Sequence, residues 1–312
     1  MSENAGVFAF FFFLGELMYW GEIAALTAAF LWAAGSFLFT SAVKRIGSIQ
    51  LNIDRMSLAA IFIAITMAAT GISFRCSINQ LLYLVGSGIV GLIIGDTALF
   101  RAFREMGPRI SLLIYSFNPA FAAILAFILF DEKLPFISII GIFLTLFGII
   151  LVVTEKPRKD NPMNFKVTLP GIIFAFISAL GQAGGLIFAK YAFNDSYIHS
   201  FTATFYRIST SVLLFLPLGI LLKRYVNPFK LYTSDKKSFK HISIASIIGP
   251  YLGITLSFFA ISHTKLGVAS TLLATVPVMI LPMTRIVYKE KLTLVSVSGA
   301  VVAFVGIALL FA

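Results

Sequence analysis

Long apolar runs alternate with short charged gaps along most of this chain. An apolar run of about 20 residues is long enough to cross the ~30 Å hydrocarbon core of a bilayer as an α-helix. The charged gaps delimit ten such runs, near 22–43, 54–73, 81–101, 109–130, 134–153, 169–190, 203–222, 242–262, 266–286 and 292–311. The pattern therefore predicts an all-α integral membrane protein with ten transmembrane helices.

The two halves of the chain repeat each other at a spacing of 158 residues. This shift pairs Gly91 with Gly249, Gly95 with Gly253, Phe100 with Phe258, Ala102 with Ala260, Pro119 with Pro277, Glu132-Lys133-Leu134 with Glu290-Lys291-Leu292, Gly141 with Gly299, and Gly148 with Gly306. Matched glycines, prolines and charges are not expected from shared hydrophobicity alone. We predict an N-terminal extension over 1–21, a first five-helix repeat over 22–154, a linker over 155–168 and a second repeat over 169–312.

Each repeat holds an odd number of helices, so the second copy must enter the membrane from the opposite side. Inverted repeats of this kind occur in many secondary transporters, whose substrate site lies between the repeats near the midplane. The earlier helices match at a different spacing, with Lys44 against Lys190 and Arg55 against Arg207. The duplication thus favours a carrier or pore for a small-molecule substrate.

Charge and composition set the environment of the protein. Hydrophobic residues make up 59% of the chain, and 24 Lys and Arg against 13 Asp and Glu give a net charge of +11. The basic residues lie mostly in the short gaps, where they indicate topology and contact with lipid headgroups rather than with nucleic acid. The basic gaps all fall on one face, which the positive-inside rule makes cytoplasmic, with both termini outside. The sequence predicts no oligomeric state.

The sequence offers little for catalysis or for metal binding. Cys76 is the single cysteine, three histidines are scattered, and no two carboxylates are paired within a predicted span. We expect no disulfide, no metal site, no cofactor and no catalytic residue, and the protein is predicted not to be an enzyme.

Polar residues within the predicted spans are the candidates for a substrate site, because a buried polar group needs a partner, a water or a ligand. Tyr115 and Asn118 share one face of helix four, and Gln182 lies in helix six. Trp32 and Ser36 in helix one are weaker candidates. For each of them, a bond between helices is the alternative to ligand contact.

Pro119 and Pro277 occupy matching places near the middle of helices four and nine, where each acts either as a functional bend or hinge or as an inert kink. Asp96 is the one carboxylate well inside an apolar run, which suggests proton or ion coupling. Its alternative is a structural role beside Arg101 and Arg104.

Taken together, these features resemble the EamA-type ten-helix members of the drug/metabolite transporter superfamily. The resemblance rests on a third helix with Gly91 and Gly95, a fourth with Pro119, the turn at Glu132-Lys133-Leu134 and a fifth with Gly141 and Gly148, all given twice. Family members often carry a glutamate before the central proline, where this chain has Asn118 and Val276.

The resemblance implies export or exchange of small metabolites, such as amino acids or their analogues, by a multi-pass protein of the cell (inner) membrane. It also implies cytoplasmic termini, contrary to the charge pattern. A non-transporting membrane scaffold or accessory subunit is the alternative function.

Overall fold

The computed structural model describes residues 19–130, 135–154, 166–264, 269, 272–289 and 292–309. Its helices are α1 Trp20–Ile46, α2 Ser48–Thr70, α3 Ile78–Ser87, α4 Thr97–Tyr115, α5 Asn118–Phe130, α6 Phe136–Val153, α7 Leu169–Asp195, α8 Ser200–Leu221, α9 Pro228–Ser234, α10 Lys236–Ser246, α11 Ile254–His263, α12 Val276–Val287 and α13 Leu294–Leu309. Two π-helical segments, Gly88–Asp96 and Ile247–Gly253, join α3 to α4 and α10 to α11. The predicted all-helical class is confirmed.

Within the described residues, seven continuous helical stretches are long and apolar enough to cross a membrane. One of them, Ile78–Tyr115, has 38 residues and would measure about 57 Å as a straight helix, nearly two membrane thicknesses. It is interrupted at Gly107, whose φ of 76° and ψ of 172° are not helical, immediately before Pro108. The stretch thus holds the third span and the start of the fourth. Two shorter apolar helices, α12 and α13, supply the ninth and tenth.

Several predicted boundaries were wrong because glycine and proline, not charge, end these helices. The second span begins at Ser48 rather than near 54, which moves Arg55 from the start of the span to about two turns inside α2. The fourth breaks at Ser116 and Phe117 before α5 starts. The turns at Glu132–Leu134 and at Glu290 and Lys291, most of the linker, and residues 1–18 of the N-terminal extension lie outside the described residues.

The outer surface of the helices is apolar, as a lipid-facing exterior requires. Large side chains such as Phe143, Leu213 and Ile286 are more than two-thirds exposed. The inside is built largely from small residues, and nearly every alanine of the inner face of α1 is fully buried. Small residues let helices approach closely where lipid removes the hydrophobic drive to associate.

The matched glycines of the two repeats meet between α6 and α13. A Cβ added at Gly148 would lie 2.5 Å from the Gly299 carbonyl oxygen and would also collide with the Ala303 backbone. A Cβ at Gly306 would lie 2.5 Å from the Thr145 backbone nitrogen and 2.7 Å from the Gly141 carbonyl oxygen. The contact is therefore made twice, once from each repeat, around a local two-fold relation.

A second pair of equivalent contacts joins the π-helical segments to the first helix of the other repeat. Gly95 packs on Gly181 of α7, where a Cβ at Gly181 would come within 2.9 Å of the Gly95 Cα. Gly253, the match of Gly95, packs on Trp32 of α1. The two π-helical segments occupy nearly equivalent positions in the two repeats. Each repeat thus packs its third helix against the opening helix of its partner.

We predict that Gly148→Val lowers the stability of the purified protein by about 1–3 kcal/mol or more, because the added carbons meet backbone rather than a movable side chain. The measurement is the melting temperature in detergent, followed by size-exclusion chromatography. Phe147→Leu, a change at a half-exposed neighbour on the same helix, is the control and should melt near the wild-type temperature. Equal melting of the two variants would contradict the close contact.

Candidate functional site

A cavity of about 1350 Å³ lies between the two repeats and is lined by residues of both. Its inner part is formed by α1, α2, the first π-helical segment, α4, α7, α8 and α11. Its lining continues to Tyr197, His199 and His263, where α7 ends, α8 begins and α11 ends. These residues belong to the face opposite the basic gaps, so the cavity opens on that face.

A buried ion pair occupies the wall of this cavity. Arg55 of α2 donates from Nη2 to Asp96 Oδ2, and both side chains are nearly inaccessible to solvent. Gln182 of α7 donates to Asp96 Oδ1 at 2.8 Å and to the Gly91 carbonyl oxygen at 3.0 Å. The Asp96 carboxylate therefore binds groups from both repeats.

The remaining donors of this cluster are also satisfied. Arg55 Nε donates to Asn52 Oδ1 at 3.0 Å, and the guanidinium lies over the Phe100 ring, 4.7 Å from its centroid. Asn52 Nδ2 donates to the Leu92 carbonyl oxygen at 2.7 Å, within the first π-helical segment. Asn52 and Gln182 each donate to a carbonyl oxygen of the first π-helical segment, whose backbone bonds run i→i+5. The polar cluster and the irregular helix thus support each other.

Asp96 was interpreted from sequence as a lone carboxylate with Arg101 and Arg104 as neighbours, and this was wrong. Both of those arginines are exposed, and Arg101 lies instead over the ring of Phe174, 5.1 Å away. The partner is Arg55, which stands at the start of the predicted span 54–73. Because α2 already starts at Ser48, Arg55 lies about two turns inside the helix and is buried.

The other predicted site residues lie around the same cavity. Its lining includes Trp32, Ser36, Tyr115, Asn118 and Gln182. The Ser36 hydroxyl donates to its own helix, at the Ala33 carbonyl oxygen, and Asn118 Nδ2 donates to the Tyr115 carbonyl oxygen at 3.2 Å. Gln182 is therefore the one of the five that bonds across the repeats among the described contacts.

The two prolines lie at helix starts rather than at mid-helix, as the sequence had suggested. Pro119 is the second residue of α5 and Pro277 the second residue of α12, each after an interruption. Proline is well tolerated there because the first helical amides have no intrahelical acceptor. Pro119 lines the cavity. Its repeat match, Pro277, is not among the described lining residues, but Val276 directly before it is.

Sequence reasoning missed Arg207 as a site residue. This side chain of α8 is 3% exposed, lines the cavity and lies over Phe258, 5.6 Å from the ring centroid. Phe258 is the repeat match of Phe100, as Arg207 is of Arg55. The sequence contained a signal for it. Equivalent positions of two inverted repeats lie toward opposite faces of the membrane, so a basic residue kept at both positions is not explained by the positive-inside rule. Asp96 has no such match, since Ile254 occupies its place.

The face that carries the basic gaps is closed by contacts between the repeats. Arg45 Nε and Nη2 donate to the two oxygens of Asp235 at 2.7 and 2.8 Å. Tyr225 and Tyr232 donate to Asp54, and the Val226 amide donates to Gln50 Oε1 at 2.8 Å. These hydrogen bonds hold the segment between α8 and α10 against the ends of α1 and α2.

Hydrogen bonds and burial shift the pKa of groups at this closed face. The hydrogen bond from Arg45 and those from Ser238 lower the pKa of Asp235. Burial, together with the Asp54 carboxylate, raises the pKa of Tyr225 and of Tyr232, so both hydroxyls remain protonated donors.

In the part of the chain that the structure describes, no group of three metal-ligating side chains occurs.

Comparison with known proteins adds the family context. The model of the EamA-like transporter family matches residues 19–154 and again 169–312, which separates the chain at the predicted linker. A solved crystal structure 16% identical to this chain superimposes with a TM-score of 0.66, covering 93% of this chain and 95% of that one. No curated protein matches.

The buried ion pair yields a stability prediction. Asp96→Asn leaves the Arg55 guanidinium buried without its counter-charge, so we expect a loss of about 3–5 kcal/mol in the free energy of unfolding. The double variant Asp96→Leu with Arg55→Met removes both charges and should recover most of that loss. Melting temperatures of the single and double variants in detergent provide the measurement, and a double variant no more stable than Asp96→Asn would contradict it.

Proposed function

Because this chain belongs to the EamA-like transporter family, whose members are membrane transporters of the drug/metabolite type, we propose that it exports or exchanges a small metabolite by alternating access. The observation that carries the proposal is the central cavity, which is open on one face and closed on the other by contacts between the repeats. Inverted repeats interconvert two such states by rocking around a fixed site. Amino acids and their analogues fit a cavity of this size.

Export from the cell or exchange across its (inner) membrane requires the cavity to open to the outside in part of the cycle. If the basic face is cytoplasmic, as the positive-inside rule implies, the conformation described here is open to the outside. The polar groups of the inner cavity, Trp32, Tyr115, Asn118 and Gln182, would then contact substrate at the point where access changes sides. Pro119 and Pro277, at helix interruptions, are where the two repeats would bend.

We predict that Gln182→Ala lowers metabolite flux in proteoliposomes at least about 10-fold, because this amide connects the Asp96 carboxylate to the opposite repeat and faces the cavity. Asn118→Ala should lower flux less, since its amide bonds only within its own segment. The assay is release of radiolabelled amino acids and analogues from loaded vesicles.

The control for this measurement is Asn79→Ala, which removes an exposed amide outside the cavity that bonds to Asp195. It should leave flux unchanged. Wild-type flux from Gln182→Ala and Asn118→Ala alike would remove both residues from the proposed pathway. If the wild type carried none of the metabolites and co-purified with a partner protein instead, the protein would be a scaffold.

The Arg45–Asp235 contact gives a prediction for alternating access. Asp235→Asn should raise the rate of thiol labelling at Leu51→Cys, in a Cys76→Ser background, by about two- to five-fold. Leu51 is fully buried beneath the closed face, and an ion pair whose arginine is half-exposed contributes little to the stability of the closed arrangement. Lys240→Gln, a charge change on α10 outside the contact, is the control.

The pH dependence of labelling is a further part of the same test. A carboxylate of lowered pKa keeps its contribution at and above the pH where an ordinary aspartate titrates, and loses it only as the pH falls through the lowered value. The labelling rate of Leu51→Cys, divided by that of a free thiol at the same pH to allow for the thiolate fraction, should therefore be constant from neutral pH to about pH 5. A rise over that interval would show that another group controls the closed face.

A further inference from the structure

The guanidinium of Arg207 has an edge without a partner. Its Nε and Nη2, which lie side by side, form no hydrogen bond within the described chain, although both atoms are buried. Nη2 lies close to Gly91, where an added Cβ would come to 2.5 Å, so the glycine makes room for it. A cation buried at membrane depth without a counter-charge is costly, and such residues mark substrate or ion pathways.

Two other guanidiniums of the molecule show what this edge binds. Arg45 presents Nε and Nη2 to the two carboxylate oxygens of Asp235. Arg55 fills the same edge with an amide oxygen of Asn52 and a carboxylate oxygen of Asp96. In each case the edge binds two oxygens, at least one of them from a carboxylate.

The second repeat has kept the arginine and its aromatic support but lacks both acceptors. Three residues before Arg207 stands Thr204, where Asn52 precedes Arg55, and the Thr204 hydroxyl donates to the Ser200 carbonyl oxygen. Ile254 stands where the first repeat has Asp96. Phe258 remains under the guanidinium. Arg207 therefore lacks the two oxygen acceptors that Asn52 and Asp96 provide for Arg55 in the first repeat.

The charge of the cavity points to an anion. Its described lining contains three cationic side chains, Arg55, Lys190 and Arg207, against the carboxylate of Asp96. Asp96 lies within electrostatic range of Arg207 but is bonded to Arg55 and Gln182. The Arg207 charge is therefore the one left to balance at the inner end of the cavity.

We propose that Arg207 is the anion subsite of the cavity and binds the carboxylate of a small organic anion or amino acid, side-on through Nε and Nη2. The planar carboxylate matches the two parallel donors of this edge. In the conformation described, Nε and Nη2 of Arg207 are buried. Binding therefore requires the guanidinium to move along the Phe258 ring toward the cavity. The inference rests on the proposed transport function and specifies its substrate class.

The test measures binding to the purified full-length chain in detergent by calorimetry. Isovalerate, succinate and L-leucine are compared with their amides, and methyl phosphate is included. At least one carboxylate should bind about 10-fold or more tightly than its amide, since charge-assisted hydrogen bonds contribute on that scale. Arg207→Lys, which keeps the charge but not the paired donors, should lose at least about 10-fold in affinity.

Arg207→Met should abolish the preference for the carboxylate, while Arg104→Met, at an exposed arginine outside the cavity, should retain it. Without ligand, Arg207→Met should melt at or above the wild-type temperature, because it removes an unpaired buried charge. A lower melting temperature, an undiminished preference in Arg207→Met, tighter binding of methyl phosphate than of every carboxylate, or no preference in the wild type would overturn the proposal.

Metabolite flux separates the failure of this inference from the failure of the proposed function. Proteoliposomes that release uncharged metabolites but bind no carboxylate would leave transport intact and remove the anion subsite. Proteoliposomes that release neither charged nor uncharged metabolites would remove the transport function itself.

Discussion

Close approach of helix backbones at glycine holds the two repeats together. In lipid, apolar side chains gain nothing by leaving the surrounding hydrocarbon, so helices associate where small residues permit contact over a wide surface. The pairs between α6 and α13, and the pair of Gly95 with Gly181, are such contacts, while Gly253 makes room for the Trp32 ring. They place the third helix of each repeat at the centre. The polar residues of the cavity are positioned by these backbones, and the cavity has its shape because the glycines occupy so little space.

The polar centre follows from this packing and also constrains it. Asn52 and Gln182 donate to the Leu92 and Gly91 carbonyl oxygens of the first π-helical segment and so join that segment to α2 and to α7. Gln182 at the same time holds Asp96, which holds Arg55. The irregular helix, the ion pair and the inter-repeat contact are therefore one connected unit. Its counterpart in the second repeat keeps Arg207 and Phe258 but not the acid, so the cavity is symmetric in shape and asymmetric in charge.

Much of the architecture was predictable because it rests on local signals. Apolar run length identified the spans, and the matched glycines identified the repeat and the helices that meet. Helix limits were harder, since the break at Gly107 and the early start of α2 depend on backbone geometry and tertiary packing that charge spacing does not encode. That error had a consequence for the site: it left Arg55 at the end of a predicted span and Asp96 without a partner. The five cavity residues chosen by polarity do line the cavity, whereas Arg207 was missed because its match with Arg55 was used only as evidence of the repeat.

Asymmetric charge on a symmetric scaffold also bears on how a carrier of this kind can couple substrate to motion. A rigid two-fold arrangement would give equal free energies to its two states, and neither face would be preferred. Here the first repeat neutralises its own arginine internally, while the second has a guanidinium whose free energy depends on what enters the cavity. A group that pairs with Arg207 stabilises whichever arrangement of the repeats brings the two together, because buried charge interacts strongly with an opposite charge at low dielectric. In the proposed transport cycle, the difference in charge between two otherwise matching helices would let a ligand bias the equilibrium, and Gln182 and Asp96, bonded across the repeats, are placed to transmit that bias.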